Sequence, residues 1–181
     1  MTLRTDLTGL LADAGLVEVD VDAAVADEHV RWAAYQCIVA VAAASGRRDG
    51  DRALVATIVR DPRGTMATAA VVDLVDRIAA KTAGAAGFRH WSAEILSETD
   101  RFATEANREF VRRRVREWLF WLSIKDGHVP SEAELAEVTP WMQRLLAAGP
   151  TSPPPVLALL AASGATRKIR NIAKNRGRGT G

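Results

Sequence analysis

The stretch Arg108–Leu122, REFVRRRVREWLFWL, constrains the fold of this chain more than any other. Val111, Val115, Trp118, Leu119 and Leu122 fall at i, i+4, i+7, i+8 and i+11, which is one face of an α-helix. Phe120 and Trp121 point off that stripe, so a helix here needs neighbours on two sides. Arg112, Arg113, Arg114 and Arg116 take up the remaining surface. The pattern predicts a long central helix over about 100–124, with other helices packed around it.

The flanking segments carry the same period. Leu3–Ala14 reads as an amphipathic helix stopped by Gly15 as its C′ residue. Asp22–Ser45 reads as one long helix, with Val30, Ala34, Cys37, Ile38 and Val41 on its apolar stripe. Asp61-Pro62 separates two further helices, because the residue before a proline is disfavoured in helix. Ser131-Glu-Ala-Glu134 has the form of a capping box, and Thr139-Pro140 that of an N-cap followed by an N1 proline. No convincing strand pair is present. The expected fold is all-α, with about seven or eight helices in an irregular bundle or a short repeat-like stack. The expected organisation is a body over 1–149, a proline-rich linker (PTSPPP) at 150–155, and a C-terminal helix with a basic tail over 156–181.

Residues 52–82, RALVATIVRDPRGTMATAAVVDLVDRIAAKT, resemble a HEAT repeat. The first helix brings Leu54, Val55 and Ile58; Asp61-Pro62 stands at the turn; the second brings Val72, Leu74, Val75 and Ile78. Such a helix pair must stack on neighbours to bury its faces. The resemblance implies a helical scaffold that binds a protein partner, and a non-catalytic interaction or adaptor protein is the leading expectation for function.

Charge supplies the alternative. All 22 acidic residues lie at or before Glu137, whereas Arg167, Lys168, Arg170, Lys174, Arg176 and Arg178 follow without an acid among them. A segment of this kind binds phosphates by counterion release, so the alternative partner is DNA or RNA, held through 166–178. Val156–Gly177 also resembles a helix-turn-helix, with Gly164 at the turn and Arg167–Arg176 as the second helix. It departs from that motif in placing Ile169, not residue 170, at the buried β-branched position, and alanine at 165. Arg112, Arg113 and Arg116 form a possible second basic strip, although Asp100, Glu105, Glu109 and Glu117 stand close enough in sequence to neutralise it. Trp118 and Trp121 are expected in the core; Trp91 and Trp141 are expected at the surface, where they could stack on bases.

Enzyme chemistry finds little footing. His29, His90 and His128 are isolated, and His90 with Glu94 is the one acid/base pair at helical spacing. No catalytic residue, metal site or cofactor motif is evident. A site assembled from scattered residues stays open. Cys37 is the single cysteine, so no intrachain disulfide is possible, and it is expected to be a small buried hydrophobe. Twenty arginines against four lysines is a bias typical of GC-rich bacterial genomes. The N-terminal segment has acids and no sustained apolar run, and no segment reaches the roughly 20 apolar residues of a spanning helix. A cytoplasmic protein with no membrane contact is the expectation.

Overall fold

The structure, a computed structural model, describes residues 2–178. Among these residues helices joined by turns make up the structure, and there is no strand. The helices are α1 (Leu3–Asp13), α2 (Val21–Ala26), α3 (Glu28–Ala44), α4 (Asp51–Ile58), α5 (Gly64–Lys81), α6 (Ala85–Thr99), α7 (Glu105–Lys125), α8 (Glu132–Ala136), α9 (Pro140–Ala148), α10 (Pro154–Ser163) and α11 (Arg167–Arg178). The all-α class therefore holds, and the expected count of seven or eight is corrected to eleven among the described residues. Gly179–Gly181, the end of the expected tail segment, lie outside them.

Two local causes account for much of the difference in count and boundaries. Asp27 leaves the helical region (φ −118°, ψ 126°), and its carboxylate accepts from the His29 and Val30 amides at 2.7 and 3.3 Å. It thus caps α3 and splits the expected 22–45 helix in two. The central helix begins at Glu105, because Asp100–Thr104 form a turn in which Arg108 Nη1 donates to the Phe102 carbonyl at 2.6 Å. Other signals act as expected. Ser131 and Glu134 form the capping box, Pro140 stands at the first position of α9, and Gly15 has a φ of 69°.

The chain divides into two compact units, Met1–Thr82 with Ala86–Val115, and Ala83–Ala85 with Arg116–Gly181. In the first, α3 packs on α2 and α5, α1 packs on α2, α3 and α4, and α4 packs on α5. Leu7, Val39, Val55, Ile58, Val71, Leu74, Val75 and Phe88 are its buried centre. A polar knot ties α3 to the turn after α4. Arg31 Nε lies 3.0 Å from Asp61 Oδ2, and the Tyr35 hydroxyl donates to the same oxygen at 2.8 Å. Arg31 Nη1 donates to the Ala24 and Val25 carbonyls at the end of α2. All three side chains are buried. Burial and the adjacent Asp61 carboxylate push the Tyr35 hydroxyl well above its ordinary range.

This knot also sets the rotation of α3. The helix buries Arg31, Ala34, Tyr35, Ile38, Val39 and Ala43, so Val30, Cys37 and Val41 face outward. The expectation that Cys37 is buried is thereby overturned. Trp91, expected at the surface, is buried as well, with its Nε1 donating to Asp51 at 2.9 Å.

In the second unit, α10 packs on α8, α9 and α11, and α9 packs on α11. Trp118 is 6 % exposed and meets Trp121 and Trp141 edge-on, with ring centroids 5.5 and 6.0 Å apart. Of the expected stripe of α7, Val111 and Val115 are buried in the first unit and Trp118 and Leu122 in the second; Leu119, Phe120 and Trp121 are half-buried.

Candidate nucleic-acid interface

The basic tail is a helix held in a three-helix arrangement with α9 and α10. Pro153, Pro154 and Pro155 open α10, where missing N–H groups cost little. The expected linker at 150–155 therefore runs directly into the first turn of this helix. Val156, Leu157 and Leu160 bury its inner side. Gly164 then turns the chain where there is room for nothing larger. A Cβ there would stand 2.5 Å from the Leu160 carbonyl oxygen and 2.9 Å from Ile169 Cγ2. Thr166 opens α11, its hydroxyl oxygen accepting from the Ile169 amide at 3.2 Å.

Gln143 on α9 locks this turn in place. It is 2 % exposed, and its Oε1 accepts from the Ala165 amide at 2.7 Å. Its Nε2 donates to the Leu135 and Val138 carbonyls at 2.9 and 3.3 Å, so one buried amide fastens α8 and α9 to the α10–α11 turn. Such a side chain must be donor and acceptor at once.

On α11 itself Ile169 and Ala173, four residues apart, are buried against the unit. Ile169 thus does the packing that a helix-turn-helix assigns to the next position. Arg170 and Arg176 turn inward. Arg170 Nη1 donates to the Gly164 carbonyl at 2.6 Å, and Arg176 Nη1 to the Ala148 carbonyl at 2.7 Å. Both cations meet carbonyl ends of preceding helices, where the helix dipole favours them.

Arg167, Lys168, Lys174 and Arg178 remain exposed, and Asn171 and Asn175 are exposed with them. At about 100° per residue these six positions fall within an arc of roughly 120°, opposite Ile169 and Ala173. They have no hydrogen-bond or ion-pair partner among the described residues. No Asp or Glu occurs anywhere from Val138 to Arg178. Arg167 and Lys168 moreover lie in the first turn of α11, where the dipole opposes cations by about 0.3–1 kcal/mol each. The two asparagines were not singled out from sequence, although their i,i+4 spacing on the cationic arc was there to find.

The second basic strip is neutralised in part. Arg112 pairs with Asp100 at 2.6 Å and Glu105 at 3.1 Å, and Arg113 lies over the Phe110 ring at 5.2 Å. Arg116 is exposed. His90 and Glu94 are 3.8 Å apart and open to solvent, too far for a hydrogen bond. Among the described residues no group of three His, Cys, Asp or Glu is placed to hold a metal ion, and no helix is long and apolar enough to cross a membrane.

A cleft of about 390 Å³ opens in the first unit, with Leu10, Ile38 and Leu54 as its floor and Asp13, Arg47 and Asp49 at its rim. Asp51 lines it too, held by Trp91 Nε1 and by Arg48 Nη1 at 3.0 Å, and burial pushes its carboxyl up. Sequence could not pair Asp51 with a tryptophan forty positions away.

The chain matches no protein-family model, no curated protein and no solved structure.

Proposed function

We propose that the protein binds nucleic acid through the outward face of α11. One observation carries the reading: four cations with no partner among the described residues share one arc of a firmly anchored helix, in a stretch of chain without any carboxylate. A solvated helix gains nothing from cations in its first turn, where the dipole works against them. Phosphate contact would turn that local cost into attraction. The resemblance of Val156–Gly177 to a helix-turn-helix adds to the reading in its glycine turn, where Gly164 meets Ile169, although the anchor falls one position earlier than in that motif.

A titration of the full chain against mixed-sequence nucleic acid by fluorescence polarisation tests it. If Arg167, Lys168, Lys174 and Arg178 each neutralise a phosphate, log K falls with log salt at a slope of about −3.6. Affinity should then drop by about 150-fold between roughly 50 and 200 mM salt. Absent or salt-insensitive binding overturns the proposal.

The cleft favours a second reading, a helical scaffold that receives an apolar segment of a protein partner, in keeping with the HEAT-like pair α4–α5. Its test is a partner captured by the wild-type chain and lost with Val41→Arg, which blocks the cleft wall.

A further inference from the structure

Asn171 and Asn175 lie in the middle of the cationic arc, with Arg167 and Lys168 before them and Lys174 and Arg178 beside and beyond. An asparagine amide offers a donor and an acceptor at fixed separation, the complement of the adenine N6 and N7 pair in the major groove. Cations alone make contact with phosphates and carry no sequence information. A surface that served only to hold phosphates has no need of two amides at its centre, one turn apart and about 6 Å along the helix.

We infer that α11 is a reader of duplex DNA, in which Asn171 and Asn175 meet adenine edges in the major groove while Arg167, Lys168, Lys174 and Arg178 hold the flanking phosphates. The inference rests on the reading of α11 as the nucleic-acid-binding element. Shape favours duplex DNA among the possible ligands. A helix about 10–12 Å across fits a B-form major groove about 12 Å wide. The major groove of A-form RNA is too deep and narrow for side chains to read. Single-strand binders stack bases on aromatic rings, and the arc 167–178 has none. The anchoring is suitable as well. Base readout demands a helix fixed in rotation, and α11 is fixed by Ile169 and Ala173 in the core and by Arg170 and Arg176 on carbonyl groups.

The experiment is selection by the full-length protein from a pool of randomised duplexes, followed by titrations of wild type and Asn171→Ala/Asn175→Ala on enriched and mixed duplexes. Alanine is the better helix former, so the variant keeps α11. The wild type should enrich a short motif containing adenines. The double variant should bind the enriched duplex at least roughly 10-fold more weakly, a bidentate contact being worth about 5- to 150-fold. Its affinity for mixed duplex and its salt slope should stay as in wild type, because the cations are untouched. No binding of any nucleic acid sinks the underlying reading of α11, and this inference with it. Salt-sensitive binding without enrichment sinks the readout alone, as does enrichment that the double variant preserves. Tighter binding to single-stranded or duplex RNA than to any DNA also overturns it.

Discussion

Gly164→Ala sets two physical effects against each other. Gly164 has φ −57° and ψ 139°, a conformation that alanine adopts without strain. On backbone entropy alone the substitution should stabilise the protein by about 0.4–1 kcal/mol, through a less disordered unfolded chain. The added methyl, however, would stand 2.5 Å from the Leu160 carbonyl oxygen, 2.9 Å from Ile169 Cγ2 and 3.3 Å from Arg170 Cγ. The first of these is backbone within the last turn of α10 and cannot swing aside. Relief requires α10 and α11 to move apart, which disturbs the Ile169 packing and the Gln143–Ala165 bond together. Overpacking of this kind costs about 1–3 kcal/mol, with a backbone contact at the upper end. The net expectation is a loss of about 2 kcal/mol, or a drop of about 4–8 °C in Tm for a chain of this size. Gly177→Ala is the control on the same helix, since nothing lies within 4 Å of its added Cβ. It should gain up to about 1 kcal/mol. Urea denaturation followed by tryptophan fluorescence reads both, with Trp118, Trp121 and Trp141 reporting on the second unit. A Gly164→Ala midpoint at or above that of wild type would refute the close-approach argument.

Trp118→Ala removes a side chain that is 6 % exposed and touches two other indoles, so a loss of about 3–5 kcal/mol is expected; a nearly silent thermal melt would show that α7 does not bury this face. Arg31→Met strands the Asp61 carboxylate, whose side chain is fully buried, and should cost about 3–5 kcal/mol in denaturant; a cost under about 1 kcal/mol would mean that water reaches the site. Because burial pushes the Asp51 carboxyl up, the folded state keeps its proton to higher pH than the unfolded chain. The contribution of this group to stability is thus greatest below its unfolded value and declines as pH rises through the folded one. Urea midpoints of wild type and Asp51→Asn, taken from about pH 3.5 to 6.5, should shift in favour of the variant as pH rises, and parallel curves would contradict the shift.

Features determined by neighbours in sequence were legible in it. The Ser131 and Glu134 capping box, the Pro140 start and the Gly15 stop depend on residues within one turn, and their chemistry is local. The inner stripe of α7 was legible too, because tryptophan, valine and leucine at 3.6-residue spacing leave little choice. The face of α3 was not. Its alanines and valines surround the axis almost evenly, so Arg31 and Tyr35, bound to Asp61 some thirty positions on, decide which side turns inward. Counting apolar residues could only place Cys37 and Val41 wrongly there. Of the site, the six cations were legible as an acid-free basic run. Their division into four outward and two inward needed the carbonyls of Gly164 and Ala148, which no pattern in the tail announces. Gln143, 22 residues from the Ala165 amide that donates to it, was equally out of reach.

The acid-free run from Val138 to Arg178 also lacks histidine, cysteine and tyrosine. Its charge is made entirely of arginine and lysine. With neither a carboxylate nor a histidine in the run, mild acidification meets no side chain there to protonate. If the proposed contact with nucleic acid holds, its control comes by another route: ionic strength, a competing polyanion, or acylation of Lys168 and Lys174, the two outward cations of this face whose charge such chemistry can erase.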